Sequence, residues 1–131
     1  GKEEFVMANT MEKWLGYSFS SGSYTGDDYK KFQRAARANL KKQCAEYGFE
    51  LHQFSGNHYE FSAVLQNMEN QKFIYVCISD VRYWQDEWYH RVLIRTMMHE
   101  KDWAGGANHF CEWNRIGETA KWLSRSLCRA V

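Results

Sequence analysis

Proline is absent from this chain. The commonest breaker of helices and strands is therefore missing, and Gly, Asn, Asp and Ser must punctuate it. No run of about 18 apolar residues occurs, which excludes a transmembrane helix on length alone. The start, GKEEFVMANT, is acidic and has no apolar h-region, so it does not read as a secretory signal. Cys44, Cys77, Cys111 and Cys128 are widely spaced, with no CxxC pair and no disulfide framework. A reduced, cytoplasmic setting is the expectation. Neither charge sign dominates: 17 basic residues against 16 acidic ones leave a net +1, so the whole molecule exerts no long-range pull on a polyanion.

What the chain does have is aromatic mass. Six Trp, eight Tyr and eight Phe make up 17% of it, so large rigid side chains must supply much of the burial. At 131 residues it fits one domain. Gly1 is not an initiator, whereas Met7 or Met11 would serve as one, so residues 1–6 are read as appended and 7–131 as a single domain.

Thr25 followed by Asp28 is an acidic variant of the capping box, and Asp27 and Asp28 suit the positive end of a helix dipole. A helix is expected from Asp27 to Tyr47, because Tyr29, Phe32, Ala36, Leu40, Cys44 and Tyr47 recur at steps of three or four. Gly48 is its C-terminal stop. The opposite side carries Lys30, Lys31, Arg34, Arg37, Lys41 and Lys42, with no acid between Asp28 and Glu46. Lys30, Arg34, Arg37 and Lys41 fall at i, i+4, i+7 and i+11, a basic stripe roughly 16 Å long.

Phe49–Phe54 reads as a short strand closed by Ser55-Gly56-Asn57, and His58–Gln66 alternates as a half-buried strand, so the two are expected to form a hairpin. Phe73–Ser79 is apolar on both faces and belongs at the centre of the sheet. Tyr89–Met98 fits either a strand or a helix; the cluster of Val, Ile and Thr favours the strand. Asn114 is placed as the cap of a last amphipathic helix bearing Ile116, Ala120, Leu123 and Leu127. The expected fold class is α+β: an antiparallel sheet of three or four strands flanked by an N-terminal basic amphipathic helix and a C-terminal helix, in two layers.

The basic stripe is one candidate site, suited to a phosphate backbone or an acidic protein surface. A solvated face balanced by acids elsewhere accounts for the same residues. The loop HEKDWAGGANH, residues 99–109, is another. Gly105-Gly106 offers consecutive backbone N–H groups for an anion, with Lys101 and Asn108 beside it. Arg95 joins this set, and on a strand Arg91, Arg95 and His99 would form a second basic row. His99, Asp102, His109 and Cys111 are the residues that metal or acid/base chemistry would use, but paired CxxC elements are missing and no metal or other cofactor is expected. Trp84, in an expected turn, is the aromatic expected to be exposed.

Helix, sheet, helix is also the order of the double-stranded RNA-binding domain, which the chain resembles in topology only. That family reads phosphate with lysines at the start of its final helix, where this sequence has Asn114, Arg115, Gly117 and Glu118. The segments ISDVRYW, DEWYHRVLIRT and KDWAGGANH resemble small proteins carried by phages and conjugative elements of gut bacteria. The resemblance implies a non-enzymatic, anti-CRISPR-like inhibitor that binds a host nucleic-acid-handling protein or nucleic acid, with no membrane partner. Two other readings stay open: an enzyme or nucleotide-sensing domain with its phosphate or metal site in the 99–109 loop, and a homodimeric structural module.

Overall fold

The computed structural model describes residues 27–57, 60–78, 92–102 and 106–129. Helix α1 (Asp27–Tyr47) is followed by strands β1 (Phe49–Asn57), β2 (Glu60–Asn67), β3 (Phe73–Ile78), β4 (Val92–Met97) and β5 (Asn108–Cys111). A 3-10 turn (Trp113–Arg115) then leads into helix α2 (Ile116–Arg129). The strands pair antiparallel in the order β1-β2-β3-β4-β5, so β3 is central. The expected α+β architecture is therefore present. Thr25, part of the expected cap of α1, lies outside the described residues, as do Trp84 and Arg91.

The period of α1 explains its packing. Tyr29, Phe32, Ala36, Leu40 and Cys44 all point inward and are buried. Gly48 follows at φ 78, the left-handed conformation that lets the chain leave the helix without a Cβ penalty. Its carbonyl accepts the N–H of Met68, tying the helix end to the β2–β3 turn. Cross-strand partners share a face of the sheet. Phe54, Ala63, Val76 and Ile94 form one such row, and Leu51, Leu65 and Ile74 form the next. These rows meet Phe32, Ala36 and Leu40 of α1 and Trp113, Ile116, Ala120 and Leu123 of the C-terminal region in one core. Both helices thus cover one face.

A polar joint locks the two helices together. Gln43 Nε2 donates to Asn39 Oδ1 and to the Trp113 carbonyl, both at 2.9 Å, and Gln43 Oε1 accepts the Gly117 N–H at 2.9 Å. Trp113 Nε1–H completes the joint by donating to Asn39 Oδ1 at 2.8 Å. Buried polar groups are tolerable when paired in this way. Gly117 is required by close approach, since a Cβ there would lie 2.6 Å from Tyr47 Cδ2.

The structure corrects several boundaries. The sheet has five strands, not three or four, because Asn108–Cys111 in the expected 99–109 loop pairs with β4. At four residues β5 is too short to display a period, and its outer side needs no apolar row. β1 runs on through Ser55-Gly56-Asn57. The reason is a close approach: the Gln33 amide of α1 lies over Gly56, in the space a Cβ would occupy. Asn114 sits inside the 3-10 turn and does not cap α2, which continues from that turn without a separate N-cap. Within the expected strand Tyr89–Met98, Val92–Met97 is a strand and Met98 lies beyond its end, while residues 89–91 lie outside the described residues. His99 lies beyond the end of that strand, so it does not extend the Arg95 row.

Candidate functional site

The sequence-derived site residues fall into two groups on opposite sides of the sheet. The first is the α1 stripe. Lys30, Lys31, Arg34, Arg37 and Lys41 are exposed, Lys42 is half-buried, and none of them forms an ion pair with a described residue. Position alone dictates the exposure, because the inward positions are taken by the apolar residues of the same helix. The like-charged neighbours Lys30/Arg34, Arg34/Arg37 and Arg37/Lys41 each oppose helix formation by roughly 0.2–0.5 kcal/mol. Burial of Phe32, Leu40 and Tyr29 outweighs this, at about 1.5–3 kcal/mol for each fully buried large apolar side chain. The stripe is thus a concentration of one charge sign that packing sustains and the helix itself disfavours.

The second group lies on the sheet face away from the helices. Val64, Tyr75, Arg95 and Asn108 form a single cross-strand row there. Arg95 is only 8% exposed although it carries a full charge. Its guanidinium lies 4.8 Å from the centre of the Tyr75 ring, and Nη2 donates to the Asp102 carbonyl at 3.2 Å. Nε is buried with no hydrogen-bond partner. Among the described residues no carboxylate forms an ion pair with this cation.

Tyr75 does not neutralise it either. Burial pushes the Tyr75 phenol up to about 12; Cys77 adds to the rise, while Ser62 and Arg95 oppose it. The ring stays neutral and contributes its π face, worth up to about 2 kcal/mol when desolvated. Withdrawing a cation from water costs several kcal/mol. The described contacts leave part of that penalty uncompensated.

The described parts of the 99–109 region, 99–102 and 106–109, lie at the same end of β4. Asp102 Oδ2 accepts the Met98 N–H at 3.0 Å, so the turn after β4 is held by its own aspartate. Lys101 is exposed, and its backbone N–H donates to His99 Nδ1 at 3.2 Å. Gly106 has φ 83, and a Cβ there would collide with the Thr96 carbonyl, so the turn into β5 demands glycine. Gly105 lies outside the described residues. Asn108 is exposed beside Arg95.

His99, Asp102, His109 and Cys111 are not drawn together. His109 and Cys111 belong to β5 and face the helix side, where the His109 ring meets the Trp122 ring edge-on at 6.2 Å. Among the described residues no three His, Cys, Asp or Glu side chains are grouped in a way that could hold a metal ion. Burial raises the thiol of Cys111 to about 11, with Thr119 and Arg115 opposing, and that of Cys44 to about 12. Both thiols are protonated at neutral pH, the opposite of an activated nucleophile.

Sequence reasoning missed a groove of about 980 Å³ at one end of the sandwich, lined among others by Glu46, Asn67, Glu69, Lys121 and Arg125. Asn67 shapes it. Its Nδ2 donates to Ser124 Oγ at 2.8 Å, and its Oδ1 accepts the Glu69 N–H at 2.9 Å. The available signal was Asn67 at the head of the turn before β3, a residue type that bonds its own backbone two positions on. The groove carries both charge signs and selects no ligand class. Tyr75 was missed as well, because its partner Arg95 is identified only by strand register.

No protein-family model matches the chain, and none of the curated proteins or solved structures matches it. Among the described residues no helix is long and apolar enough to cross a membrane.

Proposed function

We propose that the chain is a non-enzymatic binding protein of mobile-element type, anti-CRISPR-like, whose α1 face engages nucleic acid or an acidic surface on a host nucleic-acid-handling protein. One observation carries the reading: a rigidly anchored helix presents Lys30, Arg34, Arg37 and Lys41 on one exposed stripe, and no described acid pairs with them. A merely solvated face does not call for one charge sign, since interspersed acids would stabilise the helix through i,i+4 pairs. The setting comes from the resemblance of ISDVRYW, DEWYHRVLIRT and KDWAGGANH to proteins of gut-bacterial mobile elements. The Gln43 joint supports the same reading, because it fixes the helix that would make the contact.

The test is fluorescence anisotropy with short labelled duplex DNA, duplex RNA and single strands across a salt series. If the four stripe residues each neutralise a phosphate, log K falls against log salt with a slope of about −3.6 on a DNA duplex. The double reversal R34E/R37E is expected to abolish binding while leaving the melting temperature unchanged. A flat salt response removes direct nucleic-acid binding. The acidic protein partner is then tested by capture from the native host with wild type and R34E/R37E side by side, and equal recovery of the same protein by both refutes the stripe.

A further inference from the structure

We infer that Arg95 is the anchor of a second binding site, for a small oxyanion, on the sheet face opposite α1. The site does not depend on the helix-stripe reading, since the sheet separates the two. Arg95 is 8% exposed, lies against the Tyr75 ring, and has an orphaned Nε–H and no ion-pair partner among the described residues. A guanidinium held this way is half of an interaction. Its planar fork of N–H donors matches the two oxygens of a carboxylate or the oxygens of a phosphate.

The surroundings orient the fork without spending it. The Asp102 carbonyl takes one N–H of Nη2, and Cζ lies over the Tyr75 ring, 4.8 Å from its centre. Tyr75 remains a neutral phenol and so does not compete with an incoming anion. Asn108, directly across from Arg95 on the outermost strand, is exposed and contributes an amide that can donate to the same oxyanion. Lys101, the exposed residue before Asp102, is a second cation in the same turn. Hydrophobic ligands are disfavoured by the same geometry, since they would leave the guanidinium buried and unpaired.

The experiment is thermal denaturation of the full chain, and of R95M, R95K and N108A, titrated with sodium phosphate or sodium acetate against sodium chloride at matched ionic strength. Wild type should gain a saturable rise in melting temperature from one oxyanion that chloride does not reproduce. Phosphate alone acting identifies a phosphate site, and acetate alone a carboxylate site. R95M should raise the half-saturating concentration roughly tenfold or more, the size expected for losing a charge-assisted hydrogen bond. In chloride it should be at least as stable as wild type, because a buried uncompensated cation has been removed. N108A should weaken the response with its fold intact. The inference is overturned if neither anion exceeds chloride on wild type, if N108A and R95M respond as wild type does, or if R95M in chloride is strongly destabilised, which would make Arg95 a structural residue.

Discussion

Replacing Gln43 with Leu tests whether one amide holds the basic helix to the rest of the molecule. The side chain is 8% exposed and makes three hydrogen bonds, to Asn39 Oδ1, the Trp113 carbonyl and the Gly117 N–H. Leucine keeps the volume and removes all three. The consequences differ for each partner. Asn39 Oδ1 still accepts Trp113 Nε1–H, and the Trp113 carbonyl still accepts the Ile116 N–H of the turn. Gly117 N–H, buried at the start of α2, is left with nothing.

An orphaned buried donor costs about 1–3 kcal/mol, and the lost second bond to the carbonyl adds about 1 kcal/mol. The extra apolar burial of leucine returns roughly 1 kcal/mol. The net loss is therefore about 2 kcal/mol, which for a domain of this size lowers the melting temperature by roughly 8 °C. Urea unfolding followed by circular dichroism measures it directly. A change below about 0.5 kcal/mol, the range of an ordinary surface substitution, would refute the claim that this amide joins the helices. Amide hydrogen exchange gives a second readout, since the α1 amides should lose protection in the variant more than those of β3.

Other perturbations test other parts of the structure. Trp113→Phe keeps most of the ring packing but removes the donor to Asn39 Oδ1, and is expected to cost about 1 kcal/mol in the same unfolding assay. Gly106→Ala meets both a positive φ and the Thr96 carbonyl, so it should destabilise by more than about 1 kcal/mol; a neutral result would mean the turn into β5 is not formed as described. Stability should fall at high pH: Cys44, Cys111 and Tyr75 all have folded pKa values raised above their ordinary ones, to about 12, 11 and 12. Their stabilisation is complete below the ordinary values of 9.0 and 10.0 and is lost as pH climbs through 11 to 12. A melting temperature that held level to pH 12 would contradict the burial. At pH 8, Cys44 should react with a thiol reagent only on unfolding, and rapid labelling in the native protein would show that it is accessible.

Much of the fold was legible in the sequence. The α1 apolar steps from Tyr29 to Tyr47, closed by Gly48, predicted a helix whose bounds are those observed. The two-sided apolar run after Lys72 predicted the central strand, and β-branched residues decided β4 correctly where periodicity alone could not. These signals are local: they arise from side chains three or four residues apart on a helix, or two apart on a strand. β5 was illegible because four residues at an edge obey no such rule, and their pairing with β4 is set by distant register. Gly56 read as a turn for a related reason. The contact that needs a missing Cβ comes from Gln33 on another element.

The same division governs the candidate sites. By itself the sequence determined the basic stripe, since helical spacing fixes both its direction and its exposure. It placed Arg95 in a second basic row. Only the tertiary structure decided that Arg95 is buried, on the sheet face away from the helices, with Tyr75 beside it on β3 and Asn108 on β5. A charge's position along a helix is a property of the chain, whereas its desolvation depends on which strands lie next to it.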